Sequence, residues 1–278
     1  MTLEVYQESF PHVDAVMLIP ISSSPLTSQQ WLAHYRALSD PTTATVFTVV
    51  DVETTGGLEP SQRVTEVAVI QATLQDGILS QTTTLLNPQR RIPARITAFT
   101  GITFEMVKDA PTGDQVWPDL LTLLTQGILT AHNVSFDYGF LQQEYSRLGI
   151  PFARSEAEQL CTVQLARMLL ADLPSRSLPN LVQHFGLDVG PSHRAEADTV
   201  ACWQVAMILL RQIQETDDAP LLQKFQSQWI PLRLAAQILG SSQSQAKQTL
   251  QTAGIPSRTS RQGAFLYRRG AVESILSE

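Results

Sequence analysis

Two acidic residues, Asp51 and Glu53, stand one residue apart at the end of an apolar, β-branched segment. Alternate residues of a β-strand point to the same face of a sheet, so both carboxylates are expected on one face. Two carboxylates that close together repel each other unless a cation such as Mg²⁺ or Mn²⁺ neutralises them. Taken alone, the pair fits a metal site and a solvated acidic turn equally well.

Two more acids and a histidine extend this pattern. Asp137 is predicted in the first turn of a helix over 135–148, where the helix dipole favours an anion, so a capping role also explains it. Asp198 is predicted near the start of a helix over 194–214, with His193 in the loop before it. A lone helix aspartate is usually solvated and a lone histidine is usually structural. The order and spacing of the whole set indicate a functional site instead.

The elements around these residues predict an α/β fold. Strands are predicted at 46–50, 64–74, 78–86 and 128–131, and further helices at 162–171 and 178–185. The first three strands follow one another directly, which favours an antiparallel meander. Strands that come first and helices that come later, with one strand between helices, indicate a mixed sheet flanked by helices.

The chain divides into four predicted segments. Its 278 residues are enough for one full-sized domain and one small domain. We predict an N-terminal extension over 1–45, a main domain over 46–214, a polar linker over 215–230 and a small module over 231–278. The chain has a net charge of −7, but the last segment holds six Lys and Arg residues against two acids. The C-terminal module is therefore basic on an otherwise acidic chain.

Three motifs carry a family resemblance. They resemble the exonuclease motifs of the DEDDh family, which includes the proofreading epsilon subunit of bacterial DNA polymerase III. The motifs read Asp51-x-Glu53-Thr54-Thr55-Gly56, His132-Asn133-x-x-Phe136-Asp137 and His193-x-x-x-x-Asp198. The segment 96–103 is also similar to that family, and the resemblance covers about 46–214.

The resemblance implies a ribonuclease-H-like fold and a 3′–5′ exonuclease that releases nucleoside monophosphates. It implies that Asp51, Glu53, Asp137 and Asp198 hold two Mg²⁺ or Mn²⁺ ions, which stabilise the attacking and leaving oxygens at phosphorus. His193 is the implied general base that accepts a proton from water. An imidazole with an ordinary pKa near 6.5 accepts that proton at neutral pH more readily than an ionised carboxylate does.

Substrate contacts follow from the same resemblance. Backbone groups after the first acid pair and an apolar wedge are expected to surround the terminal nucleotide; these residues are Thr54, Thr55, Gly56 and Leu58. Phe136 is expected either to stack on the terminal nucleotide or to pack in the core. His132 and Asn133 are expected to form hydrogen bonds behind the metal ligands. Glu66 either supports the site from the next strand or is a solvated strand acid.

The sequence of the C-terminal module predicts two short helices joined at Gly240, with the second beginning at Ser241 or Ser242. A basic, aromatic strand over 264–269 and a closing helix over 272–276 follow. This arrangement resembles helix-turn-helix modules of the excisionase or MerR kind. Such a module binds DNA in many proteins and contacts other proteins in others.

Composition excludes several classes. The hydrophobic share of 43% is that of an ordinary folded protein. Cys161 and Cys202 lack the spacing of a zinc site, and we expect a reducing cytoplasm. No secretory leader or membrane span is expected, so no membrane partner is predicted.

Two alternatives to a DNA exonuclease remain open from the sequence. The first is a DNA-binding or regulatory protein that has an exonuclease-like fold but no catalytic activity. An RNA-trimming exoribonuclease uses the same chemistry. The predicted substrate is a nucleic acid with a 3′ end, with DNA favoured over RNA because of the epsilon-like motifs and the basic module. A polymerase or a repair protein is the partner class that fits.

Overall fold

The structure is a computed structural model that describes residues 26–190, 193–260 and 263–277. The predicted N-terminal extension therefore lies partly outside the described residues. The strands are β1 Phe47–Thr54, β2 Val64–Thr73, β3 Gly77–Leu85, β4 Ile128–Ala131, β5 Gln159–Cys161, β6 Trp229–Pro231, β7 Ser257–Thr259 and β8 Phe265–Arg268. The helices are α1 Ser28–Leu38, α2 Ala94–Thr100, α3 Phe104–Val107, α4 Gly113–Leu124, α5 Val134–Arg147, α6 Thr162–Leu169, α7 Leu178–Phe185, α8 Ala195–Glu215, α9 Asp218–Gln226, α10 Leu232–Ile238, α11 Gln243–Thr252 and α12 Arg269–Ser274. Short 3₁₀ turns span Glu156–Glu158 and Ile275–Ser277.

The first five strands form one mixed sheet. Its order is β3-β2-β1-β4-β5, with β1, β2 and β3 antiparallel and with β4 and β5 parallel to β1. The predicted meander and the mixed sheet flanked by helices are confirmed. The strand β5 was not predicted, because three residues are too few to show an alternating pattern.

The sheet separates two hydrophobic cores. Phe47 and Val49 of β1 face a core shared with α1, α6, α7, α8 and α9. Val50 and Val52 belong to a second core, which α4 and α5 cover. Both faces of the central strand are therefore buried, as its continuous apolar run requires.

The longest helix, α8, packs across β1 and β2. Residues such as Cys202, Val205 and Leu209 are buried on its inner side. The helix was predicted over 194–214 and forms over Ala195–Glu215. Its first turn therefore lies against the strand that carries Asp51 and Glu53.

The segment 215–230, predicted as a polar linker, is instead largely helical. Residues 218–226 form α9, and its Leu221 and Phe225 are fully buried. Pro220 disguised this helix in the sequence, but it stands in the first turn, where a missing N–H breaks no helical hydrogen bond. The prediction of a linker is therefore wrong for α9.

The described part of the predicted N-terminal extension is also integrated into the fold. Helix α1 buries Leu32, Tyr35 and Leu38 in the core that α8 and α9 share. Arg36 of α1 forms an ion pair with Asp218 at 2.6 Å, and so ties α1 to the start of α9. Helix α1 is thus part of the main core.

The C-terminal segment forms a small core of its own. Helices α10 and α11 pack together beside a three-stranded sheet of order β6-β8-β7. Its buried residues include Ile230, Leu250 and Tyr267. The strand β6 was not predicted, and the closing helix begins at Arg269 rather than at residue 272. None of the helices in the described ranges has the length and apolarity needed to cross a bilayer.

Candidate active site

The acid pair lies at the end of β1, where a bulge follows Glu53. Asp51 is half-buried and Glu53 is 9% exposed. Carboxylate oxygens of Asp51, Glu53 and Asp198 all lie within 4.8 Å of one another. The first two residues come from one strand face, as predicted, and the third comes from the first turn of α8. We call these three residues the acid cluster.

Asp198 is oriented by the loop that precedes α8. The backbone N–H of His193 donates a hydrogen bond of 2.9 Å to Oδ2 of Asp198. His193 has a φ of +65°, in the left-handed region that non-glycine residues rarely adopt. Asn133, at the start of α5, also has a positive φ of +83°. Backbone strain of this kind concentrates at functional sites, where the surrounding structure holds it in place.

Asp137 approaches the cluster from α5. Its carboxylate is 3% exposed and accepts a hydrogen bond of 3.2 Å from the backbone N–H of Val52, the residue between the two strand acids. Burial raises the pKa of Asp137 to about 8, against the opposing effect of this hydrogen bond. The four predicted acids thus converge on the end of β1.

The acids repel one another in a poorly solvated place. Burial raises the pKa of Asp51 well above its usual range, and the charges of Asp137 and Asp198 raise it further. Burial also raises the pKa of Glu53 to about 7, with a smaller contribution from Asp198. The pKa of Asp198 is likewise raised by burial, although the hydrogen bond from His193 opposes this. Clustered negative charge of this kind is unfavourable without a cation.

The residues present fit a divalent cation. Among the described residues, no Lys, Arg or His forms an ion pair with the acid cluster. Carboxylate oxygens are the donors that Mg²⁺ and Mn²⁺ prefer. The convergence of three such groups within 4.8 Å therefore forms a candidate metal centre.

A buried ion pair braces the cluster from β2. Glu66 lies opposite Glu53 in the sheet and is 1% exposed. It pairs with Arg194 at 2.6 Å and accepts a hydrogen bond of 3.0 Å from the N–H of Ala195. Because Glu66 is buried, it is not a solvated strand acid. It holds the first residues of α8, and so the turn that carries Asp198.

His193 packs against an aromatic residue that sequence reasoning gave no role. The ring centroids of His193 and Phe99 lie 3.9 Å apart with an interplanar angle of 38°. Phe99 is on α2 and is 60% exposed, which is unusual for a large apolar side chain. The only signal in the sequence was its place within the family-like segment 96–103. The contact joins α2 to the loop before Asp198.

The residues after the acid pair form a compact turn. Thr54 and Thr55 are buried, and their hydroxyls donate hydrogen bonds of 2.6 Å to the carbonyl of Gly56 and 2.7 Å to Gln62. A side chain at Gly56 would collide with Gln62, since a Cβ there would lie 2.8 Å from Cδ of Gln62. The turn thus holds its backbone in a fixed shape.

Leu58 and Phe136 are both associated with the first half of α5. Leu58 is 45% exposed and rests on Gly139, where a Cβ would approach it to 2.6 Å. Phe136 is half-buried and packs beside Phe140 with ring centroids 5.1 Å apart. Phe136 thus contributes to the core, and its partial exposure still leaves an edge for a ligand.

His132 and Asn133 bond to residues other than the four acids. The ring nitrogens of His132 lie 2.8 Å from Oγ1 of Thr162 and 3.0 Å from the carbonyl oxygen of Arg176. Burial lowers the pKa of His132 to about 4, so its imidazole is neutral at pH 7. Asn133 is exposed and accepts a hydrogen bond from Ser135. His132 therefore fixes the end of β4 to α6 and to the loop before α7.

Comparison with known proteins agrees with this geometry. A sequence model of the RNase T family, described as exonuclease, matches residues 48–206. A protein of Mycobacterium tuberculosis, provisionally named a bifunctional exonuclease/endonuclease, is 37% identical over 177 residues, which cover 61% of this chain and 27% of that protein. The PolC-type DNA polymerase III of Clostridium perfringens is 31% identical over 173 residues, which cover 62% of this chain and 12% of the polymerase. The chain thus spans only a small part of these relatives.

Solved structures share the fold. The nuclease domain of 3′hExo, a DEDDh family member bound to rAMP, aligns with a TM-score of 0.53 at 16% identity and covers 61% of this chain and 93% of that chain. Escherichia coli exonuclease I with a dT13 oligonucleotide aligns with a TM-score of 0.53 at 19% identity, covering 59% of this chain and 41% of that chain. The α/β architecture, with its mixed five-stranded sheet, is therefore that of ribonuclease-H-like exonucleases. With the family model matched over most of the main domain, this chain belongs to the exonuclease family.

Proposed function

We propose that this chain is a divalent-metal-dependent 3′–5′ exonuclease that hydrolyses terminal phosphodiester bonds and releases nucleoside monophosphates. The observation that supports it best is the acid cluster, three carboxylates within 4.8 Å of one another that form no ion pair among the described residues. Asp137 supplies a fourth carboxylate from α5.

The residues divide into clear roles. Asp51, Glu53, Asp137 and Asp198 hold two Mg²⁺ or Mn²⁺ ions, which supply charge stabilisation at the scissile phosphate when bound. A ring nitrogen of His193 accepts the proton of the attacking water. Its neighbour Phe99 limits the orientations of that ring.

The turn after β1 and the start of α5 position the terminal nucleotide. Backbone groups of Thr54, Thr55 and Gly56 contact it, and the fixed shape of this turn supports that role. Leu58 and Phe136 provide apolar surface on the α5 side, where each is at least partly exposed. Aromatic and apolar contacts tolerate any base.

DNA is the substrate that we favour over RNA, in a polymerase or repair context. Support comes from the similarity of the main domain to a part of the PolC-type DNA polymerase III of Clostridium perfringens. The small C-terminal fold, with α10 and α11 beside a three-stranded sheet, is proposed as a helix-turn-helix-like module that binds nucleic acid. Two free cysteines, Cys161 and Cys202, fit a reducing cytoplasm.

The test is a digestion of 5′-labelled substrates. Purified protein is incubated with single-stranded DNA, duplex DNA and RNA, in Mg²⁺, in Mn²⁺ and in EDTA. We expect a ladder that shortens from the 3′ end, that needs the metal and that is lost in Asp51→Ala. The control is Asp119→Ala, which removes an exposed carboxylate of α4 and should leave the ladder unchanged.

Two other outcomes would change the assignment. Binding without nucleotide release in either metal would favour a regulatory protein on an exonuclease-like scaffold. Faster digestion of RNA than of DNA would favour an exoribonuclease.

The role of His193 is tested by the pH dependence of turnover. If His193 is the base, the activity of the wild type should fall towards acid pH, and His193→Ala should flatten this fall. An unchanged fall in that variant would assign the base to another group.

A further inference from the structure

A large groove lies between the main domain and the C-terminal segment. Its volume is about 1690 Å³. Residues of α1, α5 and α6 and of the loop before α7 line one wall, and residues of β6, α10, β7 and β8 line the other. The edges of both main cores also contribute to its walls, through Tyr35 and Val134.

The groove is basic although the chain is acidic. Six arginines and only three acids line it, on a chain whose net charge is −7. The arginines are Arg167, Arg176, Arg233, Arg258, Arg268 and Arg269. This local excess of positive charge complements a polyanion.

Two of these arginines are available to a ligand. Arg167 and Arg233 are exposed and stand on opposite walls, and within the described residues neither forms an ion pair or a side-chain hydrogen bond. By contrast, Arg269 is 2% exposed and is bound to Glu273 at 3.1 Å. Arg176 donates hydrogen bonds to the carbonyl of Leu170. These last two shape the walls.

Two arginines lie over the ring of Trp229 on the module side of the groove. The guanidinium carbons of Arg258 and Arg268 each lie 4.4 Å from the centroid of the Trp229 ring. Guanidinium planes stack on flat rings and bond phosphate through two donors at once. This combination suits a chain of bases and phosphates better than it suits a flexible acidic peptide.

One end of the groove reaches the candidate active site. Asn133, Val134 and Ser135, at the start of α5, line the groove, and Asp137 follows in the same helical turn. The ring of His132 bonds to the carbonyl of Arg176, another lining residue. A strand that lies in the groove therefore reaches the start of α5, the helix that carries Asp137.

The groove is preformed, because the two walls are joined. The guanidinium of Arg269 donates a hydrogen bond of 2.9 Å to the carbonyl of Leu26, just before α1. The N–H of Ser28 donates one of 2.8 Å to Glu273 of α12. A preformed site loses less conformational entropy when a ligand binds.

We propose that this groove binds the single strand of nucleic acid on the 5′ side of the nucleotide being cleaved. Arg167 and Arg233 contact backbone phosphates from opposite walls, and the stack on Trp229 presents guanidinium planes to the bases. The inference rests on the proposed function for the identity of the ligand and for the direction of the strand.

The test measures binding apart from catalysis. Full-length Asp51→Ala protein is titrated with fluorescent oligothymidylates in EDTA, one a trinucleotide and one of about 15 nucleotides, the upper end of common single-strand site sizes. We expect the longer strand to bind at least about tenfold more tightly. The double variant Arg167→Glu/Arg233→Glu should bind the longer strand about tenfold more weakly. Its affinity for the trinucleotide should stay within about twofold of the unchanged value. Its salt slope should fall by about 1.4, since each phosphate contact on a single strand contributes about 0.7.

The matched control is Arg91→Glu/Arg211→Glu, the same charge change at two exposed arginines outside the groove. It should leave the length dependence unchanged. If the glutamate variant is unstable, Arg167→Ala/Arg233→Ala replaces it, because it adds no negative charge. This variant should also bind the longer strand more weakly. Equal affinity for the two lengths in the parent protein would overturn the proposal. So would displacement of the longer strand by an acidic peptide of equal charge, which would assign the groove to a protein partner.

This measurement separates the two proposals. If the wild-type enzyme cleaves nothing in Mg²⁺ or Mn²⁺, but tight binding of the longer strand to the Asp51→Ala protein still needs Arg167 and Arg233, the groove proposal is supported and the nuclease proposal is not. If cleavage is observed but strand length has no effect on affinity, the nuclease function is supported and the proposal that the groove binds the strand is rejected.

Discussion

Buried and half-buried carboxylates occur in this protein in two kinds of surroundings. In the acid cluster, the carboxylates of Asp51, Glu53 and Asp198 face one another without an ion-pair partner among the described residues. Glu66 and Glu144, in contrast, are each bound by arginine and by a backbone N–H. Glu144 pairs with Arg63 at 3.0 Å and with Arg147 at 2.9 Å, on the part of α5 that follows the site.

This difference between the two groups of carboxylates shows which negative charges are neutralised by arginine side chains of the protein itself. Where a buried carboxylate only ties two elements together, as Glu144 ties α5 to the start of β2, arginine supplies the positive charge. At the acid cluster no arginine among the described residues forms such an ion pair, and the proposed metal ions would supply the positive charge. Three carboxylate variants test this division, and a fourth variant tests the contact between Phe99 and His193; they follow in order of decreasing free-energy effect.

Glu144→Gln should lower the free energy of unfolding by about 3 kcal/mol, because it leaves Arg63 and Arg147 without their buried partner. The turnover of the folded fraction should stay within about twofold, since Glu144 bonds to none of the four acids. Urea unfolding and activity in native buffer measure the two effects. A large loss of activity in fully folded protein would contradict a purely structural role.

Glu66→Gln should act on the site as well as on the fold. Weakening the clamp on Arg194 and Ala195 loosens the turn that holds Asp198, and changes behind metal ligands typically cost about ten- to a hundredfold in metal affinity or activity. The readout is the Mg²⁺ concentration needed for half-maximal activity, compared with that of Glu144→Gln. Equal Mg²⁺ requirements for the two variants would contradict the conclusion that Glu66 supports the site and Glu144 supports only the fold.

Glu53→Gln should stabilise the metal-free protein at neutral pH, by about 1–2 kcal/mol. A carboxyl whose pKa is higher in the folded chain binds protons on folding, so its contribution to stability falls as pH rises from about 4.5 to about 7. In EDTA, the wild type should therefore lose stability relative to Glu53→Gln across that window. A constant difference between the two from pH 4 to pH 8, or a less stable variant, would contradict this.

Phe99→Ala should have the smallest effect, a fall in kcat of about threefold to tenfold, or about 0.7–1.4 kcal/mol. The ring of His193 would lose its neighbour, while KM should change little. Phe99→Tyr should restore activity, and Phe104→Ala, at an aromatic residue of α3 with 46% exposure, is the control. A shift in KM alone would make Phe99 a substrate contact instead of a positioning residue.

The sequence predicted the elements whose residues repeat with a clear period. The three strands of the meander and the helices α5 and α8 are long enough for their apolar faces to show. The strands β5 and β6 have three residues each and show no period. Helix α9 was missed because two aspartates and Pro220 at its start are also typical of a loop.

The site was predictable to the extent that its residues stand in short motifs. The sequence singles out the four acids and His193 because each stands at a strand end or near the start of a helix, and the structure brings the four acids together at the end of β1. The Glu66–Arg194 pair joins residues 128 positions apart, and the Phe99–His193 contact joins α2 to the loop before α8. Such contacts depend on tertiary packing, which the spacing of residues along the chain does not encode.

The hydrogen bonds that join α1 to α12 bear on how this protein can be shortened. Leu26 and Ser28 lie near the beginning of the described chain, and their backbone groups are bound by Arg269 and Glu273 near its end. Deleting α12 would leave these backbone groups without their partners and would remove the contact between α12 and α9. A fragment cut before α10 would therefore lose part of the support of the nuclease fold together with the groove. Point substitutions in the full-length chain are the sounder way to separate the two.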